Sequence, residues 1–269
     1  MKVCINCHTE SPIDEVFCSE CGMSLMRAAT GEEAVRLKTG RRTQPEQPPT
    51  ASGIVYLFGE QFATPVPPLT LASFAGSYLG YFTGGYLGNP PPFADGRDGR
   101  SPVRAPYSGQ SVWEGDLATG LFEAAFVSLV QGGYISLRVQ NRMGLLLATE
   151  AVGITLQKSA DDLPPSLERA IMEALRGDPK EHWVKSVVGM VIGGRDWSPQ
   201  RRTVDMVLES LVKTGWLDRV AGPVVETTAP LLGEVDAVKA RVHTFATELP
   251  NLHESLLREI QAGMQSRLI

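Results

Sequence analysis

Four cysteines near the beginning of the chain have the spacing of a metal site. They form two pairs, Cys4-x2-Cys7 and Cys18-x2-Cys21, separated by ten residues. Two residues between paired cysteines allow both thiolates of one turn to face the same ion. Two such turns complete the tetrahedral four-cysteine shell that structural zinc adopts. The spacing therefore predicts one structural Zn2+ bound by these four thiolates.

Two disulfides are the alternative use of the same cysteines. The N-terminus lacks the apolar stretch of a cleavable signal peptide, so we expect a cytoplasmic protein in a reducing compartment. Disulfides are rare in that setting, and zinc is therefore favoured. His8 lies beside Cys7, but four thiolates already fill the coordination shell, so we expect His8 to face solvent.

Residues 1–26 are predicted to form a small zinc ribbon. Such a closed site has no open coordination position, so its zinc holds a fold and does not catalyse. Lys2 is the one basic residue of this stretch, against four acidic residues: Glu10, Asp14, Glu15 and Glu20. Because phosphate contacts dominate nucleic-acid binding, this balance and the whole-chain charge of −5 argue against a nucleic-acid ligand. A structural or protein-docking role is favoured.

Two further parts are expected after the ribbon. Residues 27–53 are rich in Pro, Gln, Thr and Gly and predict a flexible linker. Residues 54–269 carry the apolar patterning of a globular domain. Within it, Ile54–Phe58 is a short apolar run that predicts a strand.

The segment from Gln61 to Ala94 contains no charged residue. Its residues 69–88 are long enough to cross a bilayer as a helix, and small residues recur there every four positions. However, prolines bound this stretch closely and no basic cluster flanks it. A buried helix or a glycine-rich surface loop is therefore favoured over a transmembrane helix.

Residues 116–139 predict the centre of the main domain. Apolar residues occupy nearly every face of a helix that ends at Gly132-Gly133, and an alternating strand follows. Further short strands are expected at 145–148 and 153–156, so that a hairpin follows the helix as in a winged-helix arrangement. The second half carries helical stripes from Leu167, Trp183, Pro199, Val235 and Leu252, and a short hairpin of Trp216-Leu217 with Val224-Val225. The predicted fold class is mainly α with short β-hairpins.

The order of these parts resembles the Golgi phosphoprotein 3 family over roughly residues 54–250. The pieces that carry the resemblance are Leu69-Thr70-Leu71, Trp113, Gly120-Leu121, the helix ending at Gly133, Ile135-Ser136-Leu137, Trp183, Trp197-x-Pro199, LVKTGWL at 211–217 and Thr227-Thr228-x-Pro230. The resemblance implies a mostly helical, peripheral membrane protein. The eukaryotic members of the family bind a phosphoinositide headgroup and bind the cytoplasmic tails of glycosyltransferases.

The resemblance also implies two residues of a headgroup site. Trp113 matches the tryptophan that lines the family's pocket, and Arg201 matches one of its arginines. Phe122 and Val204 stand where the family has two other arginines, so two cationic contacts are absent from this chain. A core position for Trp113 is the alternative, because tryptophan is usually well buried.

We expect a non-enzymatic adaptor, since the histidines are scattered and no catalytic or phosphate-loop motif is present. It would dock on an anionic membrane surface or a protein tail, in the cytoplasm or peripherally on the cytosolic face of a membrane. Homo-oligomerisation remains an alternative arrangement. The alternative functions are a zinc-ribbon and winged-helix regulator that binds nucleic acid, and a zinc-stabilised subunit of a larger assembly.

Overall fold

The structure is a computed structural model that describes residues 2–3, 10–11, 29–30, 45, 47–66, 101–143, 148–176, 182–193, 198–218, 222–223 and 227–265. Over these residues the protein is mainly α-helical with short antiparallel sheets, which confirms the predicted fold class. The helices are α1 (Ala51–Leu57), α2 (Glu114–Gln131), α3 (Leu167–Arg176), α4 (Val184–Ile192), α5 (Pro199–Lys213), α6 (Ala229–Glu248) and α7 (Pro250–Gln265). A short 3-10 helix follows α1 at Gly59–Gln61.

Within the described residues, the strands form four small antiparallel sheets. Three strands near the N-terminus pair in the order β2-β1-β3, with β1 (Lys2–Val3) between β2 (Glu10–Ser11) and β3 (Ala29–Thr30). The others are β4 (Pro102–Arg104) with β5 (Ser111–Trp113), β6 (Ile135–Met143) with β7 (Ala148–Leu156) and β8 (His182–Trp183), and β9 (Leu217–Asp218) with β10 (Gly222–Pro223). The rest of the predicted ribbon lies outside the described residues.

Helix α2 occupies the centre of the main domain, as its sequence predicts. It contacts α1, α3, α5, α6 and α7, so it is surrounded by helices over most of its length. Phe122 and Phe126 are fully buried within it, with ring centroids 6.3 Å apart. The predicted glycine turn is also confirmed, because Gly133 has a φ of 67°, which a residue with a Cβ rarely adopts.

The prediction of a strand at Ile54–Phe58 is wrong, because these residues continue helix α1 or follow it directly. Residues 51–53, which the sequence assigns to the linker, belong to the same helix. The side chain of Thr50 accepts a hydrogen bond from the Gly53 amide and so caps the helix. A short apolar run does not distinguish a strand from a buried helix, and here all seven residues of α1 are buried.

A second acceptor for the start of α1 comes from α3, far along the chain. The Glu168 carboxylate accepts the Ser52 amide at 2.8 Å and the Ser52 hydroxyl at 2.8 Å, and both residues are buried. The first amides of a helix have no partner within it, so this carboxylate satisfies a donor that would otherwise be buried without one. The chain before α1 is also tied down, because the Trp216 indole donates to the Gln47 carbonyl at 2.9 Å.

The hairpin after α2 pairs β6 with β7 in continuous register, from Ile135 opposite Leu156 to Met143 opposite Ala148. The strand predicted at 153–156 is therefore the last part of a nine-residue strand. Residues 145–147, which the sequence also assigns to a strand, lie outside the described residues. Strand β8 extends the sheet on the other side of β7.

The helices of the second half begin and end close to the predicted positions. Ser198 caps α5 by accepting from the Arg201 amide, and Pro199 occupies the first helical position, as predicted. The predicted hairpin after α5 is present as β9 paired with β10, with Pro223 opposite Leu217. Val224-Val225, the predicted second strand, lie outside the described residues. The sequence placed Gly222 and Pro223 in the turn, because glycine followed by proline is a strong turn signal.

Residues 69–88, the segment of bilayer-spanning length, lie outside the described residues. Among the helices that the structure does describe, none combines the length and the apolar character that crossing a membrane requires.

Replacing Glu168 by alanine is expected to lower the free energy of unfolding by about 2 kcal/mol, because the buried Ser52 amide and hydroxyl lose their acceptor. The comparison is Glu173→Ala, which removes an exposed carboxylate from the same helix. Urea denaturation followed by tryptophan fluorescence measures both. Equal effects of the two substitutions would contradict the assigned role of Glu168.

Candidate functional site

The four predicted zinc ligands lie outside the described residues. Strands β1 and β2 flank residues 4–9, the stretch that contains Cys4 and Cys7, and they pair with Lys2 opposite Ser11. Elsewhere in the described chain, no three His, Cys, Asp or Glu residues are grouped so that they could hold a metal ion. The zinc site therefore stays a prediction from cysteine spacing.

Trp113 and Arg201, the two residues of the predicted headgroup site, lie close to one acidic residue. Trp113 ends strand β5, is half-buried, and immediately precedes Glu114, the first residue of α2. Arg201 lies in the first turn of α5, and its Nε is 3.9 Å from the Glu114 Oε1 atom. The fold therefore brings together the start of α2 and the start of α5.

Backbone hydrogen bonds fix Trp113 and Glu114 at this position. The Trp113 amide donates to the Thr64 carbonyl at 3.1 Å, and the Glu114 amide donates to the Ser101 carbonyl at 2.9 Å. The Val66 amide donates to the Ser111 carbonyl at 2.8 Å. Both ends of the segment 67–100 are thus attached to strand β5 and the start of α2.

Arg201 has acidic neighbours and does not lie in a basic pocket. Its Nε is 3.0 Å from Asp205 Oδ1, one helical turn further along α5, and the guanidinium side chain is 41% exposed. One guanidinium therefore faces two carboxylates, those of Asp205 and Glu114. Phe122 and Val204, at the two remaining cation positions of the family, are buried in the core. The described residues supply little net positive charge for an anionic headgroup.

Glu114 is the residue whose environment is most unusual. Its side chain is only 2% exposed, and Oε1 has no hydrogen-bond partner, since 3.9 Å to Arg201 is an ion-pair distance and too long for a hydrogen bond. Burial raises the pKa of Glu114 to about 7; the charge of Arg201 lowers it and that of Asp205 raises it further. Removing a carboxylate from water disfavours its charged form, which is the main cause here.

Tyr56 and Asp205 complete the group. Burial is also the main cause that raises the pKa of Tyr56 to about 12, with smaller effects of opposite sign from Arg201 and Asp205. Burial raises the pKa of Asp205 above its ordinary value, although the charge and hydrogen bond of Arg201 act in the other direction. We call Tyr56, Glu114, Arg201 and Asp205 the Glu114 cluster.

The Glu114 cluster is able to exchange a proton near neutral pH. A carboxyl with a pKa of about 7 changes its charge in the physiological range, which ordinary carboxyls do not. Tyr56 stays protonated at that pH, because its pKa is raised to about 12. The cluster can therefore bind and release a proton, and the Arg201 guanidinium can pair with either Asp205 or Glu114.

No protein-family model, curated protein or solved structure matches this chain. The resemblance to the Golgi phosphoprotein 3 family therefore rests on the sequence pattern alone.

A surface cavity of about 220 Å³ lies between α3 and α5, away from the predicted site residues. Its lining includes Arg169, Glu173, Met206 and Lys213, and it includes neither Trp113 nor Arg201. Charged side chains of both signs surround it, so its composition does not favour a particular ligand.

Sequence reasoning proposed Trp113 and Arg201 as site residues, which stays a prediction, and did not single out Tyr56, Glu114 and Asp205. Asp205 was detectable, because an acidic residue four positions from an arginine on a helix is a common ion pair. Glu114 and Tyr56 carry no such signal. They lie 87 and 145 residues before Arg201, and only the packing of α1, α2 and α5 brings them together.

Glu114→Gln is expected to stabilise the protein at high pH. Folding raises the pKa of Glu114 from 4.5 to about 7. Between these two pH values Glu114 is ionised in the unfolded chain and still protonated in the folded protein, so the free energy of unfolding of the wild type falls as the pH rises. The neutral amide avoids this loss, so the variant should gain up to about 3 kcal/mol at about pH 8 and almost nothing near pH 4.5.

Urea denaturation at both pH values measures this difference, with Asp116→Asn as the control. Asp116 is exposed in the same helical turn, so its substitution should change stability little at either pH. A Glu114→Gln effect that is the same at both pH values would contradict the raised pKa.

Proposed function

We propose that the protein is a non-enzymatic adaptor whose helical domain docks on a membrane surface through residues 67–94. The observation that carries this proposal is the attachment of the segment at both ends. The Val66 and Glu114 amides donate to the Ser111 and Ser101 carbonyls, so the residues on either side of 67–100 lie beside Trp113. The uncharged part of this stretch, residues 67–94, is the part that we propose for docking.

The composition of the insertion favours a membrane surface as its target. It lacks charged residues up to Asp95, so no ionised side chain has to lose its hydration on contact with lipid. Tyrosine and tryptophan prefer the boundary between lipid and water, where the ring is buried and the polar atom stays hydrated. The aromatic residues available for this contact are Phe74, Tyr78, Tyr81, Phe82, Tyr86 and Phe93.

Charge attraction has a minor part in this proposal. Arg201 already faces Asp205 and Glu114, and the chain as a whole carries a net charge of −5. The resemblance to the Golgi phosphoprotein 3 family supports a peripheral membrane protein, with Trp113 and Arg201 beside the docking segment. Binding should therefore depend on apolar insertion more than on anionic headgroups.

The second part of the proposal is a zinc ribbon formed by Cys4, Cys7, Cys18 and Cys21. Four thiolates are a donor set that suits zinc, and a closed shell of this kind holds a fold together. The pairing of β1 with β2 on either side of residues 4–9 supports a turn that carries the first two cysteines. The acidic ribbon would bind a partner protein while the helical domain holds it at the membrane.

The full chain is expected to float with neutral phosphatidylcholine vesicles in a density gradient. Replacing both Tyr81 and Phe82 by glutamate should reduce the floating fraction about tenfold or more, since two charges would have to enter the lipid boundary. Salt should change wild-type binding little, because counterions screen charge attraction and not apolar insertion.

The matched control is Leu232→Glu with Leu249→Glu, which changes two exposed apolar residues of the helical domain by the same charge. This variant should float like the wild type. If the protein floated only with anionic vesicles and salt abolished this, binding would depend on attraction to headgroups and not on apolar insertion. Absence of flotation with every vesicle would exclude membrane docking and leave a protein tail as the target.

The purified chain is expected to contain about one zinc ion, measured by elemental analysis. Cys4→Ser and Cys18→Ser should each remove the metal, because three thiolates bind zinc far more weakly than four. The urea transition of the helical domain should not change, since the ribbon and the helical domain are predicted to fold as separate parts joined by a linker. Full zinc content in both variants would exclude the proposed site.

A further inference from the structure

We propose that Glu114 is a proton-controlled switch for Arg201, in which protonated Glu114 leaves the guanidinium on Asp205 and ionised Glu114 draws it inward. The proposal concerns the helical domain alone and does not depend on the proposed membrane docking. It rests on the geometry of the start of α5 against the start of α2.

Both carboxylates lie within ion-pair distance of one guanidinium, and the Asp205 carboxylate is the closer of the two. The Nε of Arg201 is 3.0 Å from Asp205 Oδ1 and 3.9 Å from Glu114 Oε1. A charge-assisted hydrogen bond from nitrogen to carboxylate oxygen measures about 2.8 Å, so a movement of about 1 Å would transfer the donor to Glu114. The Arg201 side chain is 41% exposed, which leaves it room to move.

The burial of Glu114 supplies the driving force for this transfer. Its Oε1 atom is buried without a hydrogen-bond partner, which is tolerable for a neutral carboxyl and costly for a carboxylate. When the proton leaves, Arg201 is the cation at ion-pair distance from Glu114, and its single Nε–H can be donated fully to only one of the two carboxylates. Asp205, at 47% exposure, can be hydrated by water after the guanidinium moves away.

Two charged groups on other elements around α2, those of Glu168 and His253, have partners elsewhere. Glu168 of α3 accepts from Ser52, and His253 of α7 lies 2.6 Å from Glu123, more than two turns beyond Glu114 along α2. From α1, Tyr56 faces the cluster and stays protonated, its pKa being about 12. Among the described residues, the charges of Arg201 and Asp205 act on Glu114, whose pKa of about 7 makes the switch operate near neutral pH.

The test follows the Nε–H resonance of Arg201 in nitrogen–proton NMR spectra of the full-length protein between about pH 5.5 and about pH 8.5. The resonance should move with a midpoint near pH 7, because the ionised fraction of Glu114 rises about tenfold between about pH 6 and about pH 8. Glu114→Gln should abolish the movement. Asp116→Asn, which alters an exposed carboxylate of the same turn, should retain it.

Two results would overturn the proposal. One is an Arg201 resonance that does not move over this range in the wild type, and the other is an unchanged titration in Glu114→Gln. If Glu114→Gln does not fold, the side-chain carboxyl carbon of Glu114 in the wild type gives the same information. A carboxyl midpoint below about pH 5.5 would then exclude the switch.

Discussion

The burial of helix α2 is the constraint on which the rest of the helical domain depends. A helix that is apolar on nearly every face is stable only when other elements cover it, and five helices do so here. Each buried leucine or phenylalanine contributes about 1.5–3 kcal/mol, and α2 buries Leu117, Leu121, Phe122, Phe126 and Leu129. Because α2 is buried, Phe122 packs in the core and does not reach the surface. The same burial also places Glu114 at the edge of the core, half a turn from solvent and with few donors nearby.

Periodicity predicted most of the helical fold because the apolar stripes are long and their ends carry clear signals. Ser198 and Pro199 at the start of α5, and Gly133 after α2, behave as local chemistry dictates. Ile54–Phe58 was predicted incorrectly because its conformation depends on a distant residue. The amide of Ser52, at the start of α1, donates to the carboxylate of Glu168, which lies 116 residues further along the chain. No pattern within the apolar run indicates this hydrogen bond.

The candidate site was predicted less completely than the fold, for a related reason. A residue type indicates what a side chain is able to do, but its charge state depends on neighbours from other elements. Arg201 resembled a free cation in the sequence, whereas its distances to Asp205 and Glu114 make it a shared partner of two acids. The raised pKa of Glu114 follows from burial, which a glutamate at the start of a helix does not ordinarily experience.

The hydrogen bond between the Trp216 indole and Gln47 has a consequence for how the two ends of the protein cooperate. It fixes the chain to the helical domain four residues before α1. The remaining connection from β3, residues 31–46, can span at most about 60 Å when fully extended. A partner held by the proposed ribbon would therefore experience an effective concentration in the millimolar range at the helical domain. At that concentration, the helical domain could bind the same partner through contacts that are too weak to hold two separate molecules together.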